Sequence, residues 1–382
     1  MEYRILGRTG LKVGAIALGC EGFTDKTAEE VRADFDFAIR NGINFLDLYA
    51  SNPTLRSNIG AALAGRREKF VIQGHLCSVW EEGQYLRTRD PEKSLAAFED
   101  MLARLGTDYV EIGMIHYVDA EADLREVLDG PIMRLAQRLR SEGRIRHIGL
   151  SSHNPVVARM AAETGLVDVV MFSVNPCYDL LPPSDDVDVL WADESYAQEL
   201  HNIDPERQRF YEFCEREGVA IDVMKAYGGG DLLSDANSPF GRLLTPVQCL
   251  EYALTRPGVA TVMAGCRSRA EIEAALAWCS ATAAERDYTG ALAGLDKFSW
   301  EGHCMYCGHC APCSVGIDIA GVNKYYNLTL AQHEIPETVR EHYRLLPHHA
   351  SECIACGRCE RNCPFGVDII GHMRLAAAKF GY

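Results

Sequence analysis

Eight short apolar runs lie along the first 280 or so residues, each followed by a stretch of helical character, and this alternation leaves few folds open. They read "AIAL" from Ala15, "INFLDL" from Ile43, "KFVIQGH" from Lys69 and "YVEIGMIH" from Tyr109. The remaining four are "IRHIGLS" from Ile145, "VDVVMFSV" from Val167, "VAIDVMK" from Val219 and "ATVMAG" from Ala260. Continuous apolar strands are buried on both faces, the signature of a parallel sheet. Intervening stretches such as "TAEEVRADFDFAIRNG" and "DPEKSLAAFEDMLARLG" have helical periodicity and end in glycine, as helices commonly do. Eight such units predict an α/β fold, a closed (β/α)8 barrel. A doubly wound open sheet would be expected to show G-x-G-x-x-G after its first strand, and that pattern is missing.

A barrel of this kind places its chemistry at the carboxyl ends of the strands. Polar residues collect there: Asp47, His75, His116, Ser151, Ser152, Asn175, Lys225 and Gly265, in strand order. Singly, each is equally a helix cap or a solvated strand end; the ring as a whole marks a site. After the sixth run comes an acidic stretch over residues 181–207, rich in Pro, Asp and Ser. Its position fits a lid or docking loop over the mouth, and equally a solvated insertion.

The net charge of −16, with no basic patch, argues against nucleic-acid or anionic-membrane partners. The first residues, "MEYRILGRTG", lack the pattern of a signal segment, and no apolar run is long enough to span a bilayer, so a cytoplasmic setting is expected. Fifteen cysteines in a chain this long do not read as a disulfide scaffold. Seven of them, Cys20, Cys77, Cys177, Cys214, Cys249, Cys266 and Cys279, follow no spacing rule and read as small hydrophobes.

The other eight fall in two runs. Cys353-x2-Cys356-x2-Cys359-x3-Cys363-Pro364 has the bacterial ferredoxin spacing for a [4Fe–4S] cluster. Cys304-x2-Cys307-x2-Cys310-x2-Cys313 follows the same logic with a shorter last gap. In that arrangement the fourth cysteine of each run serves the other cluster. Cys304, Cys307, Cys310 and Cys363 would then hold one cluster, and Cys353, Cys356, Cys359 and Cys313 the second. Structural zinc is the alternative. Residues 298–382 thus form a small α-helical ferredoxin-like domain behind a barrel of residues 1–297. Helix is expected between the motifs, broken at Pro336, and in the tail "VDIIGHMRLAAAKFGY".

"YRILGRTGLKVGAIALG", "GINFLDLY", "DYVEIGMIH", "IRHIGLSSHNP" and "VATVMAGCRSRAEIEAAL" resemble segments of the aldo/keto reductase superfamily, and the tail resembles the ferredoxin domain of one of its branches. The resemblance implies carbonyl reduction with NADPH and an Asp-Tyr-Lys-His tetrad. Asp47 and His116 match two of its members; the tyrosine position is Asn52 and the lysine position is His75, with Tyr49 nearby. On the cofactor side, Ser151, Ser152 and Asn175 match residues that hold a nicotinamide carboxamide, and Tyr227, beyond Lys225, is set to stack on a flat ring. Gly265, Arg267 and Ser268 match a phosphate-contacting stretch. The position that should hold an arginine for the 2′-phosphate is Glu271, and the adenine asparagine is Ala275, so NAD, NADPH supported by Arg267 and Arg269, and no nicotinamide all stay open. A flavin would bridge the two-electron and one-electron carriers.

Three functions follow. The first is an iron–sulfur oxidoreductase acting on a small organic substrate, with its clusters exchanging electrons with an external ferredoxin or flavoprotein. The second is an electron-transfer or accessory subunit with a degenerate barrel. The third is an NAD(P)H-dependent carbonyl reductase with His75 as its acid.

Overall fold

The computed structural model describes residues 1–330 and 335–382. Eight parallel strands close into a barrel in chain order: β1 (Ile16–Gly19), β2 (Phe45–Leu48), β3 (Val71–Leu76), β4 (Val110–Ile115), β5 (Ile145–Ser152), β6 (Val169–Ser173), β7 (Ala220–Met224) and β8 (Val259–Gly265). β8 pairs back onto β1 with Val262 beside Ile16 and Gly265 beside Gly19. Every apolar run of the sequence therefore becomes one stave.

The interior is filled by Phe45, Ile112, Met114, Val169 and Met263 and plugged by Leu6 and Val13. These two flank the turn of an N-terminal hairpin, Tyr3–Ile5 with Lys12–Gly14. The core outside the staves is a separate, larger cluster between strands and helices. Local signals fix the helices. Thr27 and Glu30 make a reciprocal capping box on helix Ala28–Arg40, and Asp90 caps Pro91–Leu105. Gly106, at φ 64°, ends the latter in a conformation that suits glycine.

A hairpin follows β3, Ser78–Glu81 with Gln84–Arg87. Its two-residue turn puts both Glu82 and Gly83 at positive φ, the twist that hairpins favour. The acidic stretch after β6 is a folded strap, which leaves out one of its two sequence readings, the solvated insertion. Leu190, Tyr196, Leu200 and Ile203 are buried, Tyr196 donates to the Leu190 carbonyl at 2.7 Å, and Leu200–His201 pairs with Phe298–Ser299.

The C-terminal region is built on a duplicated motif. Tyr306 and Ala355, the residues before the second cysteine of each run, both have positive φ, as do Gly308 and Gly357 after it. "CSVGIDIAG" from Cys313 and "CPFGVDIIG" from Cys363 then lead into helices Ile319–Leu330 and Ile369–Phe380. Helix Glu337–Arg344 follows Pro336, as expected; residues 331–334 of that expected helical segment lie outside the described residues.

This region packs on the helix after β6, Pro205–Glu217, where Lys324 pairs with Glu215 at 2.6 Å. It also packs on the loop entering β8, where buried Arg256 donates to the Met305 carbonyl. Tyr288 donates to the same carbonyl at 2.8 Å. Among the described residues, no helix is long and apolar enough to cross a membrane.

Candidate active site and cluster-binding region

The carboxyl ends of β2, β3 and β4 bring Asp47, His75 and His116 into one hydrogen-bonded chain. Asp47 Oδ1 is 2.8 Å from His75 Nε2, and His75 Nδ1 is 2.8 Å from His116 Nδ1. His116 Nε2 then meets the Tyr85 hydroxyl at 2.6 Å, which the hairpin after β3 delivers. Burial, the neighbouring His75 and the Arg89 guanidinium hold His116 well below the usual histidine range. Burial likewise pushes the Tyr85 phenol up to about 12.

The chain continues inward. Gln73 Nε2 donates to Asp47 Oδ1 and to Asp222 Oδ2, each at 2.9 Å, inside the barrel. Burial raises Asp222 to about 7. Tyr85, Gln73 and Asp222 were not singled out by sequence. Tyr85 sits in a hairpin signalled only by Glu82-Gly83, and the other two are interior stave positions that read as apolar runs.

The remaining acid–base candidates are differently placed. Asn52 caps helix Pro53–Leu63, accepting from the Leu55 amide at 3.0 Å. Tyr49 stacks parallel to His116 with ring centroids 5.5 Å apart. Burial, then the Glu21 carboxylate, raises its phenol far above the ordinary range.

On the far side of the mouth, much hydrogen-bonding capacity is already satisfied. Ser151 accepts from the Tyr117 amide at 2.7 Å, and Ser152 donates to Asp119 at 3.0 Å. Asn175 accepts from the Cys177 and Tyr178 amides and donates to the Lys225 carbonyl. Lys225, at φ 61°, carries its ammonium 5.8 Å over the Trp191 ring of the strap. Tyr227 is half-buried beside it.

After β8, Gly265 and Arg267 are exposed and Ser268 caps helix Arg269–Leu276. Glu271 turns back to accept from the Arg267 amide at 2.5 Å, so a carboxylate already sits at this helix start. Arg269 reaches away, to the Ala33 carbonyl at 2.9 Å and toward Asp34. It is not positioned to offset Glu271. Ala275 is buried in the helix.

The two cysteine runs fit iron–sulfur chemistry. One cavity is lined by Cys313 together with Cys353, Cys356 and Cys359. Burial, and then the nearby Cys307 and Cys363, raise Cys304 to about 12. Each group of three thus has the last cysteine of the other run beside it. Among the described residues, no three His, Cys, Asp or Glu side chains converge as a single ion would require. Of the scattered cysteines, all but Cys279 are buried.

Residues 11–240, more than half of the chain, match the aldo/keto reductase family, and 303–368 match the 4Fe-4S dicluster domain. The chain is 28% identical over 177 residues to the uncharacterized oxidoreductase YqkF of Bacillus subtilis, covering 45% of this chain and 56% of YqkF. It is 26% identical over 305 residues to L-galactose dehydrogenase of Arabidopsis thaliana, covering 72% of this chain and 86% of that enzyme. Among solved structures, aldo-keto reductase AKR11C1 from Bacillus halodurans shares the barrel, with a TM-score of 0.57 and 24% identity over 75% of this chain and 94% of that one. The chain therefore belongs to the aldo/keto reductase family and carries a C-terminal 4Fe-4S dicluster domain.

Proposed function

We propose that this protein interconverts a carbonyl and a hydroxyl group on a small organic substrate at the barrel mouth, with two [4Fe–4S] clusters linking it to an external one-electron carrier. The observation that carries this reading is the continuous Asp47–His75–His116 chain at the ends of three adjacent strands. A scaffold has no need of aligned, buried acid–base groups, whereas carbonyl chemistry needs a proton placed at the oxygen. The name of the Arabidopsis relative supports a hydroxylated substrate of sugar type.

Cys304, Cys307, Cys310 and Cys363 would hold one cluster, and Cys313, Cys353, Cys356 and Cys359 the other. The duplicated backbone around both runs supports this, because the positive-φ turns at Tyr306–Gly308 and Ala355–Gly357 are of the kind whose amides would hold an anionic group such as a cluster. Cys356 is exposed, and its thiol is lowered first by the Arg358 amide and then by Ser314. A cluster held there would be reachable from solvent through Cys356 and would be the contact for the carrier. A nicotinamide or flavin would supply the two-electron step from the β5–β8 side, near Ser151, Asn175, Tyr227, Gly265 and Ser268. Glu271 favours NADH over NADPH. Net charge and unpaired cysteines support a cytoplasmic setting.

A second reading, an accessory electron-transfer subunit, is favoured by one observation. The cluster region packs behind β6 to β8, away from the proton chain. One experiment separates the two. The reconstituted chain is reduced anaerobically with dithionite, and cluster absorbance near about 400 nm is followed while aldehydes and ketones of sugar type are added. Reoxidation by a carbonyl compound is the expected result. Reoxidation only by a protein carrier would overturn the enzymatic reading.

A further inference from the structure

We propose that Tyr85 is the proton donor at the barrel mouth, recharged through His116 from the His75–Asp47 pair. The role rests on the oxidoreductase reading above. Asn52 stands where the family's tyrosine is expected and is engaged in capping a helix. Tyr49 lies flat on His116 and meets it through its ring face, outside the hydrogen-bonded chain. Tyr85 comes from a separate element, has its hydroxyl 2.6 Å from His116 Nε2, and leaves 37% of its surface exposed at the mouth.

The geometry dictates the tautomers. In the neutral chain Asp47 is an acceptor, so His75 carries its proton on Nε2 and offers a bare Nδ1. His116 must then donate from Nδ1, which leaves its Nε2 to accept from Tyr85. When His75 is doubly protonated, the order reverses. His75 donates from Nδ1, His116 donates from Nε2 to the Tyr85 oxygen, and the Tyr85 O–H is free to point at a substrate.

The transfer balances. The electron pair reaches the carbonyl carbon as hydride from a reduced nicotinamide or flavin. The carbonyl oxygen takes the Tyr85 proton, Tyr85 takes the His116 Nε2 proton, and His116 Nδ1 takes the His75 Nδ1 proton. His75 ends neutral, still donating to Asp47. One proton has moved from His75 to the product hydroxyl, and the chain is left in its neutral arrangement.

The charges around the chain set where the proton rests. Arg87, Arg89 and His153 all repel a cation on His116, while Asp47 attracts one to His75. Glu21 lies against Tyr49, and Asp222 acts on Asp47 across Gln73. A cation on the outer histidine is thus disfavoured, and the Asp47 carboxylate lies against the inner one.

The test has two readouts. Nitrogen-15 NMR of the histidine-labelled holoprotein should show His116 as the Nδ1–H tautomer at alkaline pH. It should switch to Nε2–H as His75 takes up a proton, and in Tyr85→Phe the alkaline preference for Nδ1–H should weaken. Turnover of a sugar-type aldehyde by Tyr85→Phe should fall by about 10²-fold or more in kcat with KM little changed. A His116 tautomer that ignores both pH and Tyr85 would overturn the proposal, as would Tyr85→Phe turning over at the wild-type rate. If no carbonyl compound turns over in the wild type, the oxidoreductase reading fails. The tautomer switch would still decide whether the relay exists.

Discussion

His75 and His116 face each other through their Nδ1 atoms at 2.8 Å, and this contact forces complementary tautomers on the two rings. Either ring can donate, but not both, so the pair is a two-position switch whose setting depends on one proton. His75→Gln keeps a donor for Asp47 but cannot exchange that proton. It is expected to lower kcat by about 10²- to 10⁴-fold. Its thermal melt should move by only a few degrees, which separates a chemical loss from a folding one.

Glu271 occupies the start of the helix after β8, where it accepts from the Arg267 amide. A 2′-phosphate brought there meets a like charge. The wild type should bind NADH more tightly than NADPH. Glu271→Gln should improve NADPH binding by about tenfold, or ~1.4 kcal/mol, with little change for NADH. Paired fluorescence titrations with the two cofactors measure it.

Cluster ligation is predicted to cross between the runs. Cys363→Ser should remove the cluster held by Cys304, Cys307 and Cys310, and Cys313→Ser the cluster beside Cys353. Each should reduce iron and sulfide content by about half. Because Cys356 is exposed whereas Cys304 is only partly so, a chelator should strip the second cluster first in the wild type. Iron release with time in the two variants assigns each phase.

Arg256 is fully enclosed and joins the barrel to the Met305 carbonyl and the Tyr288 hydroxyl. Arg256→Met should keep the volume but lose those charged hydrogen bonds, a cost of about 2–3 kcal/mol. Hydrogen exchange should rise around 300–310, while the β2–β4 end of the barrel stays protected.

Asp222 has a raised affinity for its proton in the folded barrel, about 7 against an ordinary 3.8. Stability from this group is complete below the unfolded value and is lost as pH rises through about 7. The span corresponds to about 4 kcal/mol at full burial. Asp222→Asn mimics the protonated form. It should flatten the decline in denaturant midpoint between pH 5 and pH 8 relative to wild type.

The barrel was legible because most stave positions are buried on both faces and the staves show as largely apolar runs, from Ile16 to Gly265. The cysteine runs were legible because ligand spacing is local. Tyr85 was not, since the hairpin strand that carries it, Gln84–Arg87, is exposed throughout and its partner His116 lies 31 residues away. Gln73 and Asp222 hid within apolar runs because only closure of the barrel brings them together. The strap after β6 read as loop because its few buried residues, such as Leu190 and Tyr196, are scattered among acids. The duplication behind "CSVGIDIAG" and "CPFGVDIIG" is plain in the letters, but shared positive φ values give it a structural meaning.

The cluster region is anchored beside Glu215 and Arg256, whereas the proton-bearing side chains hang from β2, β3 and β4 across the ring. Under the proposed function, electrons and protons would thus approach a bound molecule from opposite directions through separate stretches of protein. Such a layout lets selection retune one current without disturbing the other. A lineage could replace the acid–base side chains to suit a new substrate while keeping its redox partner, or change partner while keeping its substrate.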